Sequence, residues 1–283
     1  MLAMQGKNYS IEELIIVQMA RDLSGERMAV GATPLSDIAV RLAKATHAPD
    51  LILTSGSRAA WDCAALPRGL QDEWKAVGTS PFRMDWISLF DCVMQAKLLI
   101  WIGPVQIDRR GSSNISLIGQ WDQPKIQVVG SRGVPDDLWG CETLGYHVKD
   151  HNKRSFVNEV DFVCALGFGE RRDALKMTSG LPGLVISNLG VFDWDKEAGH
   201  MRVKFLHPGV TFADLQAKTG FEWLPEHGKE FPETPEPTEE ELFLIREKLD
   251  PLGWRRMDSN EASPALLEEL WKKELAEINR LRG

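Results

Sequence analysis

The chain has 283 residues, enough for one large hydrophobic core or two modest ones. Apolar residues make up 43% and charged residues 26%, with a net charge of −8, the profile of a globular protein in water. No Lys/Arg-rich block and no apolar run of membrane-spanning length occur, so neither nucleic acid nor a bilayer is an expected partner.

The four cysteines, Cys63, Cys92, Cys141 and Cys164, are widely spaced and form no C-x-x-C pair. They fit reduced, mostly buried thiols, and the N-terminal residues carry no signal-peptide pattern, so a cytoplasmic protein is expected. The histidines show no metal-ligand spacing, and no metal is expected. Ten Trp against two Tyr is an unusual balance, for which packing in a core or an interface is the ordinary role.

Ser10-Ile-Glu-Glu13 is a capping box that opens an amphipathic helix to about Leu23. Arg27–Val30 is a short strand, Pro34 and Ser36 open a second helix over Ile38–Thr46, and Leu51–Leu53 is a further strand. Thr54-Ser55-Gly56-Ser57 follows at once. Helix, strand, helix, strand, with polar or Gly-rich turns after each strand, predicts an open, mostly parallel α/β sheet. Residues 57–85 read as irregular and Trp86–Gln95 as a helix. The strand Lys97–Ile102 leads to Gly103, and strand-like Ile115–Ile118 follows the intervening loop. Ile126–Val129 is an apolar strand that ends in Gly130-Ser131-Arg132-Gly133. Phe156–Leu166 and Leu184–Phe192 are apolar segments able to pair in the same sheet. Met201–Leu206 alternates as a strand does, and Phe212–Lys218 makes a short helix.

A Pro-rich linker, residues 230–238, separates an α/β domain (1–229) from a helical extension (239–283). Within that extension Glu239–Leu249 and Pro264–Arg280 are helical. Leu266, Leu267, Leu270, Trp271, Leu275 and Ile278 recur at intervals of three and four, but periodicity does not tell whether they pack on this subunit or on a partner.

Two Gly-bounded loops that follow strands expected to be buried, Lys97–Ile102 and Ile126–Val129, are the candidate ligand site. Gly103-Pro104-Val105-Gln106 and Gly130–Gly133 present backbone N–H groups able to hold a thioester oxygen or a phosphate. Gln106 is assigned nearest the ligand, while Asp108, Gly111 and Asn114 order the loop, since short polar side chains tie turns to their own backbone. His207, at a strand end before Pro208-Gly209, is expected to be a hydrogen-bonded structural residue. The chain contains no Gly-x-Ser-x-Gly elbow, Walker loop or Rossmann fingerprint, hence no self-contained catalytic set.

The run from Gly103 to Asn114 has the pattern Gly-x-x-Gln-x-Asp-x-x-Gly-x-x-Asn. With Arg41–Asp50, His151–Asp161, Ile186–Asp193, Leu206–Thr211 and Thr219–Glu222, it resembles the β subunits of the family I CoA-transferases over about residues 8–225. The resemblance implies an open α/β sheet of the CoA-transferase type and a homologous α subunit, in an α₂β₂ assembly with the site between subunits. A coenzyme A thioester would be the substrate, with no cofactor bound permanently. By the same resemblance Gly133, with Gly130, supplies a backbone oxyanion donor, and Asn188 and His207 order loops. Transferases of the family keep a nucleophilic Glu just after the second strand. Here Ser55 fills that position, and a hydroxyl cannot form the acyl anhydride on which transfer depends. The chain thus resembles a branch whose heteromer opens a ring in a cyclic β-keto acyl-CoA of steroid catabolism by hydrolysing a C–C bond. In that branch the acting carboxylate lies on the α subunit. True transfer would require a carboxylate from elsewhere, such as Asp62 or Glu73, and a third possibility is a subunit that only shapes the pocket.

Overall fold

In the computed structural model the first helix, α1 (Ile11–Asp22), begins at the capping box read from the sequence. Ser10 Oγ accepts from Glu13 N, and Glu13 Oε2 accepts in return from Ser10 N at 2.9 Å. The structure describes residues 6–25, 28–53, 60–65, 78–85, 87–88, 91, 98–223, 230–259 and 261–282. The Trp86–Gln95 helix lies almost wholly outside the described residues, as do Cys92 and Glu73. Strand β1 (Met28–Gly31) pairs in parallel with β2 (Ile52–Leu53), and helix α2 (Pro34–Ala45) connects them. Thr33 and Ser36 form a second capping box at the start of α2, with Pro34 in its first turn, where proline's missing N–H costs nothing. A short antiparallel pair follows, β3 (Ala60–Trp61) with β4 (Phe82–Arg83).

Strand β5 (Leu98–Ile102) is buried along its whole length and ends at Gly103 as its composition predicts. Next come β6 (Gln106–Asp108), β7 (Ser113–Asn114), β8 (Leu117–Gly119) and β9 (Pro124–Gln127). The β8–β9 hairpin corrects the expectation of a buried strand over Ile126–Val129. The segment leans outward, leaving Ile126 57% and Val129 62% exposed.

Helix α3 (Val134–Gly140) and strand β10 (Cys141–Val148) carry no strong sequence pattern. Yet β10 lies beside β5 and β12 (Leu181–Ser187), parallel to both. Gly145 stands opposite Trp101 in this register, and a Cβ there would sit 2.6 Å from the indole, so the glycine makes room for a ring that is only 2% exposed. Strand β11 (Phe156–Val157) pairs with β6, and β6 with β7, in a small sheet of their own. Phe156–Leu166 therefore does not join the main sheet, contrary to expectation.

Helix α4 (Glu170–Ala174) precedes β12. Strands β13 (Gly190–Asp195) and β14 (His200–Leu206) then extend the sheet antiparallel, in the order β14-β13-β12-β10-β5. Helix α5 (Phe212–Lys218) begins at a capping box between Thr211 and Asp214. The Pro-rich segment is tied down at Thr234, which is 2% exposed and whose amide donates to Leu206 O at 2.8 Å. The chain ends with α6 (Glu239–Phe243), a π-helical turn over Leu244–Leu249, and α7 (Pro264–Arg282).

Contacts group the chain into two compact units, Lys97–Pro235 (with Met1–Gly6) and Lys7–Ala96 with Glu236–Gly283. The C-terminal segment thus belongs with α1 and α2. Leu242, Ile245 and Leu249 are buried, and Arg246 forks onto the capping residue Glu13 with two bonds of 2.8 Å. Burial pushes the Glu13 carboxyl up, but the Arg246 and Ser10 hydrogen bonds and the charge of Arg255 outweigh it, and the group stays below its ordinary value. No helix among the described residues is long and apolar enough to cross a membrane.

Candidate functional site

The loop between β5 and β8 is organised by two buried amides. Gln106 Oε1 accepts from Asn114 Nδ2 at 2.8 Å and from Asp161 N at 3.0 Å. Asn114 is fully buried. Its Nδ2 donates also to Leu117 O at 2.7 Å, and its Oδ1 accepts from the amides of Ser116 and Leu117. Asn114 thereby holds the chain that leaves β7, while Gln106 is held by its carbonyl end and keeps its amide nitrogen available.

Asp108 serves the turn itself, with Oδ1 accepting from Arg110 N at 2.9 Å and Ser112 N at 3.0 Å. Burial raises its carboxyl above the ordinary value despite those bonds. Gly111 has φ +84°, and a Cβ there would meet Trp194 and Pro182 at 2.8–2.9 Å, so position 111 requires glycine for conformation and for space.

The second Gly loop is joined to the first. Ser131 Oγ lies 3.2 Å from Ser116 Oγ and donates to Cys164 Sγ, while Ile115 N also donates to that sulfur. Gly130 has φ +90° with open space at its Cβ position, and exposed Gly133 leads directly into α3. Cys164 is the free, buried thiol that the sequence suggests, but nothing in the sequence ties it to Ser116 and Ser131. Their link runs across 15 and 33 positions, and no local motif encodes it.

Beside Gln106 opens a cavity of about 490 Å³. Val105, Ile118, Ile126, Val128, Val148 and Val157 give it an apolar lining, and Gln106, Asn152, Lys149 and Arg154 supply polar groups. That mixture suits an acyl chain with a polar end.

Asn188 follows the end of β12 and His207 the end of β14, with β13 between the two strands. Asn188 Oδ1 accepts from His151 N at 2.9 Å. His207 Nε2 faces Ser187 O at 2.8 Å, which sets the Nε2–H tautomer and leaves Nδ1 to accept from Thr234 at 2.8 Å. Burial lowers the His207 imidazole to about 4, and burial with the charge of Lys218 lowers that of His151 to about 3. Both rings are neutral at physiological pH. Ser55 lies outside the described residues, as does Glu73. Asp62 is ion-paired with Lys44 at 2.8 Å.

No protein-family model matches the chain. It is 37% identical over 237 residues to the cholesterol ring-cleaving hydrolase IpdB subunit of Rhodococcus jostii, a match that spans 82% of this chain and 88% of that one. The chain belongs to the CoA-transferase family as a β-type subunit. The crystal structure of Rhodococcus jostii RHA1 IpdAB superimposes with a TM-score of 0.78 at 33% identity, covering 90% of this chain and 100% of the other. The fold is shared with glutaconate coenzyme A-transferase from Acidaminococcus fermentans, at a TM-score of 0.77 and 24% identity over 86% and 96% of the two chains. Enzymes of this family act on CoA thioesters, and the β-type subunit works with a partner subunit.

Proposed function

We propose that this chain is the β-type subunit of a heteromer that opens the ring of a cyclic β-keto acyl-CoA by hydrolytic C–C cleavage. The observation that carries this reading is the Thr54-Ser55-Gly56-Ser57 segment. It contains no carboxylate where a transferase of the family needs one, in a chain 37% identical to a ring-cleaving hydrolase subunit. A steroid-derived substrate follows from that relative's name. No resident cofactor is needed, and an α₂β₂ assembly in the cytoplasm fits both the relatives and the lack of a membrane-spanning helix among the described residues.

In this scheme water, activated by a carboxylate of the α subunit, adds to the ring ketone. The bond between that carbon and the carbon α to the thioester then breaks. Its electron pair passes to the thioester enolate, which takes up a proton, and the former ketone becomes a carboxylate in the same, opened molecule. Oriented N–H groups aimed at the enolate oxygen would stabilise the developing charge. The Gly130–Gly133 backbone is assigned that task, with Ser131 and Ser116 anchoring the loop. Gln106, whose free amide nitrogen borders the apolar cavity, is assigned to substrate contact.

The complex co-purified with the product of the adjacent gene, incubated with a cyclic β-keto acyl-CoA, is expected to add one water to the acyl chain and keep the thioester intact, whether or not an acceptor acid is present. Mass spectrometry of the CoA products reads this directly. New CoA esters of added acetate or succinate would establish transfer instead and remove the hydrolytic mechanism. In the same assay Gln106→Ala is expected to lower turnover about 10²-fold, as loss of a catalytic contact typically does. A change within a few-fold would reduce this chain's part to shaping the pocket.

A further inference from the structure

The Asp108–Ser112 turn also floors a second cleft, of about 650 Å³, bordered by residues 167–173 and by the β13–β14 turn at 196–199. Glycines let the chain close in on that floor. A Cβ on Gly167 would fall 2.1 Å from Arg110 O and 2.4 Å from Ser112 N. On Gly169, with φ +125°, it would fall 2.9 Å from Arg110 Nη1, so the Arg110 guanidinium lies alongside.

Five cations line this cleft: Arg109, Arg110, Arg171, Arg172 and Lys196. Among the described residues none of the five makes an ion pair, although Glu159, Glu170 and Asp173 share the lining. Arg172 is the most constrained of them. It is 3% exposed, and its Nη2 donates to Ser179 O and Gly180 O at 2.6 Å. Its Nε and Nη1 have no acceptor. Burial depresses its basicity and outweighs the opposing influence of Tyr146, Cys141 and Asp173, while its hydrogen bonds go to the two carbonyls alone. A guanidinium has five donors and no acceptor, and buried donors almost always find partners.

We propose that this cleft is a phosphate-binding site, in which Arg110 and Lys196 take the phosphate oxygens above the buried positive charge of Arg172, which no carboxylate pairs. A phosphate carries several acceptor oxygens and close to two negative charges, which suits a cluster of unpaired cations better than a single carboxylate does. The group could belong to a CoA thioester, in which case the assignment rests on the acyl-CoA reading above, or to a separate phosphate ligand.

The test uses the full chain and titrates inorganic phosphate, with sodium chloride at matched ionic strength as the control. CoA and dephospho-CoA are then compared calorimetrically. The double variant Arg110→Gln/Lys196→Gln removes two side chains that make no ion pair, so its ligand-free melting temperature should match that of the parent. Phosphate is expected to raise the melting temperature of the parent chain beyond the chloride control. In the variant its affinity should fall at least about tenfold. Phosphate that competes with CoA, together with a preference for CoA over dephospho-CoA that the variant abolishes, would assign the site to the substrate's own phosphate. Phosphate bound alongside CoA would assign it to a separate ligand. If neither phosphate nor CoA binding responds to the double variant, the proposal falls. Ring-opening activity that survives such a result would leave the functional reading intact.

Discussion

Acidification from pH 7 to pH 5 is expected to lower the unfolding free energy by about 4 kcal/mol. His151 and His207 are the cause. Each is buried, His207 1% and His151 1% exposed, with both ring nitrogens hydrogen-bonded. Burial takes the His207 imidazole from an ordinary 6.5 to about 4; burial with the Lys218 charge takes that of His151 to about 3. The unfolded chain therefore binds two protons below pH 6.5 that the folded chain refuses until near pH 4 and pH 3. Their contribution is complete above pH 6.5 and is lost as the pH falls towards the folded values, at about 1.4 kcal/mol per pH unit for each ring. Set against a total stability of roughly 5–15 kcal/mol, this is a large fraction. Urea unfolding at pH 7, 6 and 5 measures it, and His207→Gln, which cannot titrate, should halve the slope. A free energy that stays flat between pH 7 and pH 5 would show that the two rings are not held neutral.

Asn114→Ala is expected to cost about 3–5 kcal/mol and to lower the melting temperature by about 10 °C. The substitution removes two donated and two accepted hydrogen bonds inside a site with no water access. Gln106 Oε1, Leu117 O and the Ser116 and Leu117 amides would be left short of partners. Asn114→Asp keeps the acceptor but turns a negative oxygen towards Gln106 Oε1 and Leu117 O, so it should not rescue. Activity should fall with both variants, because Gln106 and Ser116 lose their support together. A melting temperature within about 2 °C of the parent for Asn114→Ala would mean that the loop is held by its backbone alone.

Features set by local chemistry were legible in the sequence. Capping boxes at Ser10 and Glu13 involve residues three apart, and the strand ending at Gly103 announces itself by an apolar run cut by Gly-Pro. The position and composition of the β5–β8 loop could be read in the same way. What stayed hidden depends on distant neighbours. Strand β10 is interrupted by Gly145 and His147, and its logic appears only when Trp101 is seen lying over the glycine. The Ile126–Val129 segment is apolar yet exposed, since composition records an aversion to water and not which surface covers it. The Ser116–Ser131–Cys164 link arises where two loops meet, and Thr234 is anchored inside a segment whose prolines suggest only a spacer.

The grouping of Glu236–Gly283 with Lys7–Ala96 bears on how the chain is made. On a ribosome, Lys97–Pro235 holds all of its own contacts once that stretch has emerged, whereas α1 and α2 must wait. Their cover, Leu242, Ile245 and Leu249, and the arginine that clamps Glu13 leave the exit tunnel only after that stretch. Helices α1 and α2 are therefore translated before the middle of the chain and sealed after it. A chain stopped short of residue 236 would carry a finished middle and an unfinished beginning, the form that proteases and chaperones select.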